Sequence, residues 1–520
     1  MCGIAGVYNV GHASKYTFHM LHALQPRGHD GAGIASTDGD DLFVQKGPGR
    51  VVQAFRNVNF KQQLLGDMAI GNNRYATTGK SSTYNLHPFV MWLDMPYGRE
   101  KVAIVHNGNI TNYEELREEV ITRGCIVPDD SSDTRIMLYL IYLSQKETLY
   151  DRIRDACSRV QGAFAFLIMS TKGFFAFTDP QLFHPLVMGR EGNDSYYFAS
   201  EDVAFHALND ATLARIDDIA HLNGGEIVAF FNVEGQFSRE KSPHFMGGKP
   251  RDVRLYVNQP RQMIREARVP AKRSCHCTFE HIYLAARKST PFGMPSEQVQ
   301  RTLGASLAQW DFQDSDFLTE LPDLVLGVPN SGLWTAECYA NEFAELYKKA
   351  YHKHPGLTYH QRGIMVNEGV DRTFIEPNQS IRETLMKRKF NIDVHTVQGK
   401  SIVVIDDSIV RGTTMRTLVR QLRECGARAI HLRSAAPKLI HECIHGVNIE
   451  TTDELIAAQH TVEEIRALLD VDSLKFNTIP GLLAAVGDPY DDRSCTTCFS
   501  GSPPDTDSYA MKLKLPIYAP

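Results

Sequence analysis

Apolar residues recur along this chain in two different ways. Up to about residue 245 they form short runs between Gly-rich turns, as in GAGIAS, GNNRYATTGKSS, VAIVHNGNITN and GAFAFLIMSTKGFFAFTD. That spacing predicts a sheet-rich layered structure with a few helices, one of them over 114–124. From about residue 275 onward, strand-like apolar runs alternate with stretches of helical period. LVLGVPNSG leads into LWTAECYANEFAELYKKA, and SIVVIDDSIVRGTT (401–414) leads into another helical stretch. Within the latter, Ile402, Val403, Val404 and Ile405 are continuous and β-branched, the mark of a buried strand. Met415, Leu418, Val419 and Leu422 follow at helical spacing, and Gly426 supplies a stop. This alternation predicts a parallel sheet of βαβ units.

Between the two rhythms lies REKSPHFMGGKPRDV (239–253), polar, with prolines and two adjacent glycines. A boundary there gives a first domain over 2–245, a second over 246–500, and a tail over 501–520 containing GSPPDTDSY. A chain of 520 residues needs more than one core. The composition, 43% hydrophobic and 22% charged, is that of a globular protein, and a net charge of −6 gives no reason to expect nucleic acid as a partner. No run of 18 apolar residues exists, so no membrane span is expected. MCGIAGVYNV lacks the basic-then-apolar pattern of a secretory signal. The expected compartment is the cytosol, where ten cysteines serve as reduced, catalytic or metal-bound thiols rather than disulfides.

Asp406 to Thr413 bridge the carboxyl end of a strand and the start of a helix, where open α/β sheets bind ligands. Gly412 lets the backbone approach a ligand closely. The helix start offers free N–H groups and a positive dipole end that suit a phosphate, and Thr413 and Thr414 add hydroxyl donors. Asp406 and Asp407 would repel a phosphate, but they can accept protons from a ribose diol or bind Mg²⁺. The loop strongly resembles the signature of the type I phosphoribosyltransferases, which bind phosphoribosyl pyrophosphate (PRPP). The resemblance implies a PRPP site made of Asp406, Asp407, Ser408, Val410, Arg411, Gly412, Thr413 and Thr414. In it, 410–414 hold the 5′-phosphate and the two aspartates hold the ribose. GVPNSG (327–332) resembles the family's pyrophosphate loop, with Ser331 as a Mg²⁺ contact. VDRTFIEPNQSIR (370–382) resembles its mobile loop, from which Arg372, with Lys389 further on, would neutralise the departing pyrophosphate.

At the other end, Cys2 follows the initiator Met, and removal of that Met would leave the thiol beside a free α-amine. Such an amine, with a pKa near ~7.7–8.0, can act as the base for its own thiol. MCGIAGVY continues into LQPRGHDGAGIAS (24–36), RYATTG (74–79), HNGNITN (106–112) and SSDTR (131–135). In this order and spacing the motifs closely resemble the N-terminal-nucleophile (Ntn) glutamine amidotransferases. That resemblance implies a four-layer αββα domain and a γ-glutamyl thioester on Cys2. Asn107, through its side-chain amide, and Gly108, through its N–H, would form the oxyanion hole. Arg74 would bind the glutamine α-carboxylate as a bidentate fork, Asp133 the α-ammonium, and Thr77 would assist.

One half thus implies ammonia release from glutamine, and the other implies PRPP binding. From Met1 to about Ser500 the chain resembles the amidophosphoribosyltransferases, which start purine synthesis by making 5-phosphoribosylamine. The resemblance implies glutamine and PRPP as substrates, purine nucleotides as feedback inhibitors, Mg²⁺, and a homotetramer. Cys495 and Cys498 form C-x₂-C, and Cys277 and Cys443 stand where the iron–sulfur branch of the family has its other ligands. Four thiolates suit a [4Fe–4S] cluster, and zinc would accept them too. Cys275 competes as a ligand, while Cys125, Cys157, Cys338 and Cys425 read as core residues. The chain departs from the family pattern at DPQLFHPL (179–186), where Leu182, Phe183 and His184 replace Gly-Ile-Arg, at Asp371, and at RGHDG. Two rival readings are another glutamine amidotransferase, disfavoured by the PRPP loop, and a PRPP-sensing regulator, disfavoured by Cys2 and its oxyanion donors.

Overall fold

The computed structural model describes residues 2–75, 83–129, 131–232, 256–258, 261–267, 274–366, 390–449, 451–490 and 493–502. Two seven-stranded antiparallel sheets form the first half. Gly3–Tyr8 runs near the middle of one sheet, flanked by Ser195–Ala199 and Met68–Arg74. Gly98–Ile110 lies in the other, between Phe89–Met95 and Gly162–Ser170. Strand alternation shows the layering. Ile4 and Tyr8 join Ala103 and Val105 in the core between the sheets. Ala5 and Val7 face helices Ala13–Ala23 and Val203–Asp210. Val102 and Ile104 face helices Tyr113–Thr122, Thr134–Leu143 and Leu149–Cys157. The order is therefore helix, sheet, sheet, helix, and both faces of each sheet are dry. That is why the strands read as apolar runs rather than as alternating ones. Strand Arg261–Ala267 pairs with Glu226–Asn232 along its length, so the second sheet extends past residue 245.

The second half is built on a five-stranded parallel sheet. Its central strand, Ser401–Asp406, sends Ile402 and Val404 to one core and Val403 and Ile405 to the other. Each such side chain contributes about 1.5–3 kcal/mol by leaving water. Helices Ser296–Phe312 and Gly332–Tyr351 cover one face, and Thr413–Glu424 and Val462–Leu469 the other. Met415, Leu418, Val419 and Leu422 are the buried stripe of Thr413–Glu424, as their spacing predicts. No helix among the described residues is long and apolar enough to cross a membrane.

Candidate active site

Cys2 precedes the first strand. Its backbone N–H donates to Asn107 Oδ1 at 3.1 Å, and its thiol faces the Tyr75 carbonyl at 3.7 Å. Oδ1 takes that N–H, and the Asn107 Nδ2 is buried and has no hydrogen-bond partner among the described residues. An orphan buried donor normally costs about 1–3 kcal/mol, so its place on the side chain that holds the Cys2 N–H points to an acceptor supplied from outside. Gly108 follows with φ +137°, and a side chain there would drive into the Ala163 carbonyl, 2.0 Å from an added Cβ. The strand nevertheless keeps its pairing through this point, with Gly108 opposite Phe164 and Ile110 opposite Gly162.

Arg74 and Asp133, nominated for the two ends of glutamine, are both buried and meet around His87. The Arg74 guanidinium donates to the Asn85 carbonyl, and Asn85 Oδ1 accepts the Ser132 N–H at 3.3 Å. Asp133 accepts the Ile110 N–H at 3.0 Å and the Thr134 N–H at 2.8 Å. Burial alone would raise its carboxyl. His106, the Ile110 N–H and His87 outweigh burial and hold it down at about 2. His87 is itself kept neutral by burial and by Arg74 and His106. Thr77 lies outside the described residues.

In the second half, two loops at the carboxyl ends of adjacent parallel strands converge. Leu324–Gly327 leads to Ser331, and Ser401–Asp406 leads to Asp407. The Ser331 hydroxyl donates to Asp407 Oδ2, and Ser408 Oγ donates to Asp407 Oδ1 at 2.7 Å. The Asp406 and Asp407 carbonyls accept the Ala435 and Ala436 N–H groups at 2.9 and 2.8 Å, which extends the ladder and fixes both aspartates. Val410 accepts the Ile456 N–H at 3.0 Å, and Thr413 and Thr414 open the helix. Two further details bear on this loop. Arg411 turns to Glu454, 2.9 Å from Nε, rather than into the loop. Gly412, at φ +72°, leaves room for Ile456, whose Cδ1 is 2.7 Å from an added Cβ. The glycine is thus required by its own backbone and a core side chain, not only by a ligand. Arg372 and Lys389 lie outside the described residues.

Sequence reasoning overlooked several groups. Tyr283, about half exposed, lies within electrostatic reach of Tyr75 in the first half and of Asp406 and Asp407 in the second. Surrounding protein, then the charges of Asp407, Tyr75 and Asp406, raise its hydroxyl. Arg287 donates to the Asn330 carbonyl inside GVPNSG. Arg27 is fully buried, with Nη1 2.7 Å from Glu201 and both Nη atoms 2.8 Å from the Glu280 carboxylate. Its Nε donates to the Cys2 carbonyl at 3.0 Å. Burial alone would raise Glu280, but Arg27 and His184 hold it well below the usual carboxylate range. The His184 departure finds its place here: Nδ1 is 3.2 Å from Glu280 and Nε2 2.6 Å from the His445 carbonyl. The departures in DPQLFHPL and in RGHDG, which begins with Arg27, gave a signal, whereas the partners of these residues are far away in sequence.

Cys277 and Cys495 face each other in a two-residue parallel ladder. Burial raises the Cys277 thiol, and Cys495, Glu280, Cys443 and Cys498 raise it further, so the four thiols share one neighbourhood. Cys275 packs with Ala163 and Phe183, and Cys495 packs against the same cluster. Among the described residues, no group of three or more His, Cys, Asp or Glu side chains is arranged to hold a metal ion.

Comparisons with known proteins agree with this division. A glutamine amidotransferase domain model matches residues 94–207, and a phosphoribosyl transferase domain model matches 297–439. An amidophosphoribosyltransferase of Bacillus subtilis (strain 168) is 34% identical over 506 residues, 97% of this chain and 94% of that one. Amidophosphoribosyltransferase 2, chloroplastic, of Arabidopsis thaliana is 35% identical over 508 residues, 97% of this chain and 79% of that one. The solved glutamine PRPP amidotransferase of B. subtilis, complexed with ADP and GMP, superposes with a TM-score of 0.79 at 32% identity, covering 97% of each chain. A structure described as the allosteric regulatory enzyme of purine biosynthesis gives 0.80 at 32% identity, over 99% of each chain. With a relative above 30% identity along nearly its whole length, and with both sites on the matching folds, this chain belongs to the amidophosphoribosyltransferase family, enzymes that transfer the amide nitrogen of glutamine to PRPP in purine biosynthesis.

Proposed function

We propose that the reaction is divided among the residues as follows. After removal of Met1, the Cys2 amine takes the thiol proton and the sulfur attacks the glutamine carboxamide. The oxygen that becomes negative is met by the Asn107 amide and the Gly108 N–H. Ammonia leaves, and water later releases glutamate from the thioester. Arg74, Asp133 and Thr77 hold the amino-acid end. In the second half, Asp406 and Asp407 accept the ribose hydroxyls, and 410–414 receive the 5′-phosphate at the helix start. Ser331 and the aspartates would hold Mg²⁺, which supplies charge neutralisation for pyrophosphate when bound. Arg372 and Lys389 would assist its departure. Ammonia then attacks C1 of PRPP and expels pyrophosphate.

The observation that carries this reading is the buried Asn107 amide, without a hydrogen-bond partner among the described residues, on the side chain that accepts the Cys2 N–H. Asp407, joined to both Ser331 and Ser408, supports the PRPP half. Four neighbouring thiols support a [4Fe–4S] cluster on Cys277, Cys443, Cys495 and Cys498, which would stabilise the second half; zinc is the alternative occupant. The solved B. subtilis relative in complex with ADP and GMP supports feedback by purine nucleotides. A homotetramer and a cytoplasmic location complete the proposal.

The test is glutamate and pyrophosphate release by anaerobically purified protein, with and without PRPP and Mg²⁺. Both products rising together, only with PRPP, is the expected result. Glutamate release indifferent to PRPP, without pyrophosphate, would overturn it. Cys2→Ala should abolish synthesis from glutamine and keep synthesis from ammonia.

A further inference from the structure

Three consecutive residues of the second half reach into the first half beside its nucleophile. The Ile444 carbonyl accepts the Asn109 side-chain amide at 2.8 Å. The His445 carbonyl accepts His184 Nε2 at 2.6 Å, and the His445 ring stacks on Phe183 with centroids 3.9 Å apart. Gly446, at φ +106°, lies flat against Gly108, whose carbonyl carbon would be 2.9 Å from a Cβ added to Gly446. Gly108 is therefore enclosed from both sides, by Gly446 and by the Ala163 backbone. Neither glycine has room for a side chain, so the position of one peptide sets the position of the other.

We propose that Ile444–Gly446 is a clamp contributed by the phosphoribosyltransferase half that positions the oxyanion-hole peptide of the glutaminase. This rests on the reading of Asn107 and Gly108 as oxyanion donors. Asn109, His184 and Gly446 are positioning residues, since none touches Cys2 in the described contacts. The clamp fixes the direction of the Gly108 N–H, and an oxyanion donor acts only where it meets the developing charge. A displacement near 1 Å at such a site costs on the order of a hundredfold in rate. The glutaminase site is thereby complete only when the second half is folded against it.

Full-length Asn109→Ala and Gly446→Ala should be compared with the unaltered enzyme, using glutamine and ammonia as alternative nitrogen sources. The expected result with glutamine is a kcat lowered ~10-fold by Asn109→Ala and ~100-fold by Gly446→Ala, with KM within about twofold. Rates with ammonia stay unchanged, since PRPP chemistry does not use the clamp. Equal losses with both nitrogen sources, or a full glutamine kcat in Asn109→Ala, would overturn the clamp. If Gly446→Ala fails to fold, Asn109→Ala decides alone. Asn107→Ala separates the two readings. If it keeps full glutamine kcat, the oxyanion assignment fails. If it loses kcat while Asn109→Ala does not, only the clamp fails.

Discussion

Among the described residues two arginines, Arg27 and Arg433, are completely buried, and their surroundings differ in a telling way. Arg433 binds Asp311 at 2.7 Å inside the second half, joining a strand to helix Ser296–Phe312, with Tyr339 and Lys475 completing the group. Arg27 binds Glu201 from its own half and Glu280 from beyond the sheet, 253 residues away, and also holds the Cys2 carbonyl. The first cluster unites the parts of one domain. The second unites two domains at the nucleophile. Similar electrostatics therefore serve cohesion in one place and active-site geometry in the other.

The largest effect should come from cutting each cluster. Asp311→Asn and Glu280→Gln each leave a buried guanidinium short of a charge partner, which costs about 3–5 kcal/mol. Denaturant melts should show comparable losses. Function should separate them: Glu280→Gln lowers the ratio of glutamine-dependent to ammonia-dependent synthesis, whereas Asp311→Asn leaves that ratio alone. Equal ratios in the two variants would erase the contrast.

Next comes Asp133. Its folded pKa of about 2 lies below the ordinary 3.8. The stability it contributes is therefore complete above the unfolded value and is lost as pH falls from about 4 toward about 2. That depression is worth about 2 kcal/mol. Asp133→Asn should flatten this part of the stability curve, and an unaltered acid limb in the variant would refute the assignment. Smaller still, His184→Ala removes its bonds to the His445 carbonyl and to Glu280 and should cost about 1–2 kcal/mol. Glu454→Ala, which frees the exposed Arg411, should cost less than about 1 kcal/mol. Thermal shifts of these last two variants in the reverse order would show that the buried bridge carries no more than a surface pair.

Much of this was legible in the chain. Ile402 to Ile405 announced a strand because both faces are buried, and the stripe from Met415 to Leu422 announced its helix. Motif spacing nominated Cys2, Asn107 and Asp407, because Gly108 beside Asn107 and the strand-to-helix turn after Asp407 have residue requirements of their own. The Arg27 cluster was not legible, because its carboxylates lie 174 and 253 residues away and nothing local requires them. Gly412 was recognised for a partly different reason: Ile456, distant in sequence, fills the space a side chain would need.

The contact between Asn109 and Ile444 spans 335 residues. A ribosome adding ~5–20 residues per second needs about 15–70 s to cover that interval. During it the glutaminase half can already fold, as N-terminal domains do, while its proposed clamp does not yet exist. A nascent chain would then hold its nucleophile in an unfinished site, and glutamine would be safe from hydrolysis until the part of the protein that uses the ammonia has been made.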